Sequence, residues 1–316
     1  MDALTSLVAL VALLIGLAAG KAWERYKLQD GRLIDRRRAR ESPHYLVGLN
    51  FLVNGLIDPA IEELTKAAEL TGDALEIRLI LGNLYREKGQ VGRAIQEHQA
   101  LLQRPNLRKL EHANVLLCLG LDYRRGGFVD RALEAFSEVL RLDPGNQYAL
   151  LNLQKLHEEQ HQWRDAHAAR QKLAAAAPAD DKPRHQRILA FLENAIGLEA
   201  MNQGDAAAAA QRFESAIELD PSNAPAYLHL GDIRFREGDT GGAIAAWERL
   251  VASCPDRSHL AFARLETAYK KAGDPARFPD LCRRLIEQTP QDWRARLALA
   301  AHLRWNGNPA EGLEIL

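Results

Sequence analysis

The sequence predicts an all-α fold: a right-handed superhelical solenoid of short helical hairpins behind an N-terminal transmembrane helix. Three observations lead there. Small residues recur at matching places in successive segments, with Gly48, Gly82 and Gly120 in a first helix and Ala60, Ala94 and Ala132 in a second. Ala and Leu dominate the 316 residues while clusters of β-branched residues are scarce, which favours helix over strand. Residues Ala3 to Gly20 form an uncharged, mostly apolar run closed by Lys21.

At 1.5 Å per residue that run covers roughly 27 Å, close to the ~30 Å hydrocarbon core of a bilayer. Lys21 can snorkel, Trp23 and Tyr26 stand as interfacial aromatics, and Arg25 joins them at the expected membrane interface. Residues 21–40 carry eight basic side chains against Glu24, Asp30 and Asp35, a net +5. Positive charge that follows an apolar run is retained on the cytoplasmic side. A cleaved signal peptide ending at Ala18-Ala19-Gly20 needs a positive start, and Met1-Asp2 supplies none. The expected layout is therefore an uncleaved anchor at 1–22 and a basic juxtamembrane segment at 23–40, with the body inside the cell. Gly16 and Gly20 form a small-xxx-small pair able to pack two anchors into a homodimer.

The body reads as eight copies of one template. Leu119-Gly120-x2-Tyr123, Gly127, Ala132-x3-Phe136 and Pro144 fill nearly every slot of the tetratricopeptide unit of about 34 residues. Gly48, Phe51, Gly55, Ala60 and Ala67 hold the first copy, and Gly82, Tyr85, Gly89 and Ala94 the second. Four inserted residues, Lys109 to His112, precede the third. The fourth is degenerate, with Gln154, His157 and His161 in the Gly, Tyr and Gly slots but Ala166 retained. Repeats 1–4 thus span 41–180, and 181–189 reads as a spacer. Repeats 5–8 follow over 190–316. Gly197, Gly204, Ala209-x3-Phe213 and Pro221 mark the fifth, and Leu230-Gly231, Gly238, Ala243-x3-Trp247 and Pro255 the sixth. The seventh keeps Leu265, Tyr269, Gly273 and Pro290 with Phe278 in the second-helix Ala slot. The eighth begins at Trp293 and stops within its second helix, where Leu313 and Leu316 leave apolar surface bare. A solenoid normally closes with a polar cap, so a following segment is expected.

Composition narrows function. A formal net charge of −1 argues against a general nucleic-acid binder. Cys118, Cys254 and Cys282 are far apart and form no Cys-x-x-Cys pair, so neither a disulfide framework nor a thiolate metal site is expected. His157-Glu158-Glu159-Gln160-His161 matches His-Glu-x-x-His, with His167 six residues on as in extended zinc-peptidase patterns. Arg164 replaces the Gly that turns toward the third ligand, and the motif lies inside the repeat template. There the two imidazoles have separate structural jobs. No phosphate-cradling Gly-rich loop or Gly-x-Ser-x-Gly elbow is present, so no catalysis and no cofactor are expected.

The informative slots are those on the concave side of the first helices. The template places Asn83, Arg86, Arg124, Arg125 and Lys155 there beside Leu117 and Leu121. Such a cationic strip suits an acidic or C-terminal carboxylate segment of a protein partner.

The anchor, the basic stretch, Tyr45-x2-Gly48-x-Asn50-Phe51-Leu52 and the segment through His98-Gln99 resemble the lipopolysaccharide assembly protein B (LapB, also YciM) family of Gram-negative bacteria. Leu119-Gly120-x-Asp122-Tyr123, Asp130-Arg131-Ala132 and Trp163 continue the likeness. The resemblance implies a regulator on the cytoplasmic side of the inner membrane. There it would couple the membrane protease FtsH to LpxC, the deacetylase of lipid A synthesis. Family members also carry a C-terminal rubredoxin-like module with two Cys-x-x-Cys pairs, and this sequence has no such pairs. The runner-up expectation is a generic membrane-tethered assembly factor or co-chaperone gripping peptides in its groove.

Overall fold

The computed structural model describes residues 42–70, 74–105 and 107–316. The expected anchor and basic segment, with Lys21, Trp23, Arg25 and Tyr26, lie outside the described residues. Among the described residues no helix is long and apolar enough to cross a membrane. They hold sixteen α-helices, two short 3-10 segments and no strand. Two compact units emerge, one ending at Ala149 and the other beginning at Leu150.

In the first unit the helices are α1 (Pro43–Val53), α2 (Ile57–Leu70), α3 (Leu75–Glu87), α4 (Val91–Leu102), α5 (Lys109–Arg125) and α6 (Val129–Leu142), with α7 (Gln147–Glu159) starting at its end. Consecutive helices pack as hairpins, and α3 also touches α5, so first helices of neighbouring hairpins lie side by side. The four residues Lys109 to His112 extend α5 by one turn. Glu111 accepts from the Arg108 backbone N–H at 3.0 Å and closes the helix start.

The second unit continues α7 into α8 (Trp163–Ala175), then α9 (Lys182–Asn202), α10 (Ala206–Leu219), α11 (Ala224–Arg236) and α12 (Thr240–Ser253). After a 3-10 segment, Pro255–Ala261, come α13 (Phe262–Lys271), α14 (Arg277–Gln288), α15 (Trp293–Trp305) and α16 (Pro309–Ile315). Residues 182–189, read from sequence as spacer, are helical and continuous with α9. Pro183 sits in the first turn, where its missing N–H costs nothing, and no Gly or Pro follows until Gly197.

In five of the hairpins a small residue on the first helix is pressed against a larger one sixteen residues later on the second. The pairs are Gly48 with Leu64, Gly82 with His98, Gly120 with Phe136, Gly197 with Phe213 and Gly231 with Trp247. A Cβ on Gly120 would stand 2.7 Å from the Phe136 ring, well inside van der Waals contact. All five partners are essentially buried, as are Ala60, Ala94, Ala132, Ala166, Ala209 and Ala243 of the second helices. Phe278, in the Ala slot of the seventh hairpin, is buried too, edge-on to Phe262 at 6.3 Å.

The turn inside each hairpin needs a left-handed residue. Gly fills it at 55, 89, 127, 204, 238, 273 and 307, and His161 fills it in the fourth with φ 56°. The Gly slot read from sequence for His161 is the position it occupies.

Candidate partner-binding groove

Two first helices of the first unit build the site. On α3, Asn83 and Arg86 are three residues apart and share a face, and on α5 the same holds for Leu117, Leu121, Arg124 and Arg125 within two turns. Arg86, Glu87, Leu121, Arg124 and Arg125 surround a concavity of about 460 Å³. Leu117 and Asn83 lie one turn farther along their helices, both half-buried. Lys155 is exposed on the second unit and is not among the groove's lining residues.

The concavity has a charged floor. Arg86 donates from Nη1 to Asp122 Oδ1 at 2.8 Å and reaches the Cys118 carbonyl at 3.4 Å. Asp122 is fully buried, and its other oxygen accepts from Nδ1 of His98, which is also fully buried. The His98 ring is the one lying on Gly82, where other hairpins place Leu, Phe or Trp. So α3, α4 and α5 are tied by one carboxylate. Removing it would leave a guanidinium and an imidazole without their partner, a loss on the order of 3–5 kcal/mol for a buried pair. Beside it, the Asn83 amide meets the Cys118 sulfur, while Asn83 Oδ1 is buried with no protein hydrogen-bond partner. Burial pushes the Cys118 thiol up, so it is a poor nucleophile. Arranged this way, the groove can hold an anion or a peptide backbone. Nothing in it sets up bond-breaking chemistry.

The second unit carries a parallel buried carboxylate. Glu193 accepts from His167 Nε2 at 3.0 Å and from Arg212 Nη1 at 3.1 Å. Burial raises this carboxyl, but the hydrogen bonds from His167 and Arg212 outweigh it and hold the group below the usual carboxylate range. That spends the third imidazole of the His-Glu-x-x-His reading. His157 Nδ1 donates to Gln162 Oε1 at 2.7 Å, and His161 sits in the turn with its ring 5.3 Å from Trp163. Among the described residues no group of three or more His, Cys, Asp or Glu is placed to hold a metal. A larger concavity of about 630 Å³ lies among α12, α14 and the start of α15. There Glu248 is taken by Arg277 at 2.7 Å and by the Tyr269 hydroxyl at 2.6 Å, and Asp292 caps α15.

Residues 194–258 match the family model for the tetratricopeptide repeat. A TPR repeat-containing protein of Pseudomonas aeruginosa is 30% identical over 88 residues, 28% of this chain and 84% of that protein. The chain belongs to the tetratricopeptide repeat family. Lipopolysaccharide assembly protein B of Escherichia coli strain K12 is 24% identical over 279 residues, 88% of this chain and 71% of that protein. The chain is thus a relative of that protein, as the motifs from Tyr45 to Leu102 imply. A solved Naa15/Naa10 complex bound to HypK-THB superposes with a TM-score of 0.52 at 15% identity. It covers 84% of this chain and 39% of that one, a likeness of fold alone.

The floor of this tetratricopeptide groove escaped sequence reading. Asp122 and His98 stand in motif positions but look like solvated polar residues. The signal that marks them is the sixteen-residue spacing: His98 falls where Phe136, Phe213 and Trp247 fall in their own hairpins, so it must be buried.

Proposed function

We propose that this chain is an inner-membrane-anchored tetratricopeptide adaptor that regulates lipopolysaccharide biosynthesis by bringing an FtsH-type protease to LpxC. The observation carrying this reading is the 279-residue match to a protein named for lipopolysaccharide assembly. In this reading residues 1–22 span the bilayer, 23–40 lie on its cytoplasmic face, and the repeats of 41–180 and 190–316 hold protein partners. The chain does no chemistry itself. It acts by effective concentration, since holding protease and client on one surface makes their encounter nearly intramolecular.

Depletion in the host tests it: LpxC should persist longer and lipopolysaccharide should accumulate. Unchanged LpxC turnover overturns the regulator and leaves a generic membrane-tethered assembly factor. The topology has its own test, because digestion of the repeats by protease added outside spheroplasts refutes a cytoplasmic body.

A further inference from the structure

Burying ionised side chains is expensive, and an apolar replacement of similar volume is often as stable or more so. Four hairpins of this chain follow that rule, with Leu64, Phe136, Phe213 and Trp247 at the crossing. The degenerate fourth hairpin buries Arg170 sixteen residues after Gln154, and the second hairpin departs from the rule as well. His98 lies there fully buried, and it is joined to Asp122, buried on the next first helix. The far side of that carboxylate holds Arg86, whose side chain is only 14% exposed and lines the groove.

We infer that His98 and Asp122 are positioning residues that aim Arg86 into the groove of the first unit, and that the groove binds an acidic peptide segment through its carboxylates. The inference rests on reading the repeats as a docking surface. Among the described residues Arg86 uses only Nη1, on Asp122 and the Cys118 carbonyl, which leaves the rest of the fork for a ligand. A guanidinium held from behind loses less freedom when a carboxylate arrives, so more of the interaction survives as affinity. Arg125 adds an exposed cation on the rim with no ion pair among the described residues, and Leu121 offers an apolar wall between the charges. Glu87, the one acidic lining residue, is outnumbered by Arg86, Arg124 and Arg125, so the balance of charge around the groove stays positive.

The test measures fluorescence polarisation of labelled hexaglutamate, hexaglutamine and hexalysine peptides on the full chain at low salt, with a thermal melt of every variant. Hexaglutamate should bind at least about tenfold more tightly than the other two, and Arg86→Gln and Asp122→Asn should each remove about tenfold. Arg125→Gln, an exposed change that leaves the core alone, should weaken binding with an unaltered melt. His98→Phe keeps an aromatic ring against Gly82 but releases Asp122, so it should weaken binding while the protein stays folded. Equal binding of the three peptides overturns the inference, as does hexaglutamate binding that survives both Arg86→Gln and Arg125→Gln. Unchanged binding in folded His98→Phe overturns the positioning role. Unchanged LpxC turnover with peptide discrimination intact would instead sink only the lipopolysaccharide reading.

Discussion

Substituting Gly120 by Ala puts the hairpin crossing to a quantitative test. The added Cβ would lie 2.7, 2.9 and 3.0 Å from three ring carbons of Phe136, a side chain with no exposed surface. The ring has nowhere to move without displacing its neighbours, and overpacking of this kind costs about 1–3 kcal/mol. Working against that, Ala is better than Gly inside a helix by roughly 0.8–1.0 kcal/mol. The net expectation is destabilisation by about 1 kcal/mol. Gly92 supplies the control, since it is helical too but a Cβ there meets nothing within 4 Å. Gly92→Ala should stabilise by up to ~1 kcal/mol, so the two changes differ in sign. Hydrogen exchange of the amides of α5 and α6 reports on the right place, because the described residues of the first unit include no tryptophan. Should Gly120→Ala protect those amides as well as Gly92→Ala protects those of α4, the close approach is not what holds the hairpin.

Further predictions follow from other parts of the chain. The Glu193 carboxyl titrates lower folded than unfolded, so its contribution is complete above about pH 4.3 and lost as pH falls through the folded value. Glu193→Gln should therefore be less stable than wild type near neutrality with the gap closing in acid, and urea midpoints that differ equally at every pH refute this. His161→Gly removes a side chain from a left-handed position at φ 56° and should stabilise by up to ~1 kcal/mol, less whatever the ring contact with Trp163 contributed. A fall in melting temperature would mean that the ring contact outweighs the strain. Burial pushes the Cys282 thiol up to about 12, so iodoacetamide should label it slowly in native protein at pH 8 and fast in denaturant. Rapid native labelling would place Cys282 at a mobile surface.

The hairpins were legible because their crossings are local. Gly120 and Phe136 belong to one repeat, and the chemistry of a small residue facing a large one is written in the spacing. The cationic slots were legible in part. Arg86, Leu121, Arg124 and Arg125 do converge on one concavity, since adjacent first helices run side by side. Lys155 lies on the second unit, and the template says nothing of how far a degenerate fourth repeat continues a surface. The charged floor was not legible, because its members come from three helices and each alone resembles a solvated residue. That residues 182–189 are helical was not legible for another reason. The repeat template has no slot for them, yet a helix lengthens freely where no breaker intervenes.

Since the wedge and the socket of five crossings sit sixteen positions apart within one hairpin, each of those crossings is set by its own hairpin's sequence. A polar wedge reaches beyond its own hairpin, as His98 of the second does when it joins Asp122 of the third. A chain built this way can acquire a recognition element at one station while the remaining stations go on serving only as spacers of known length.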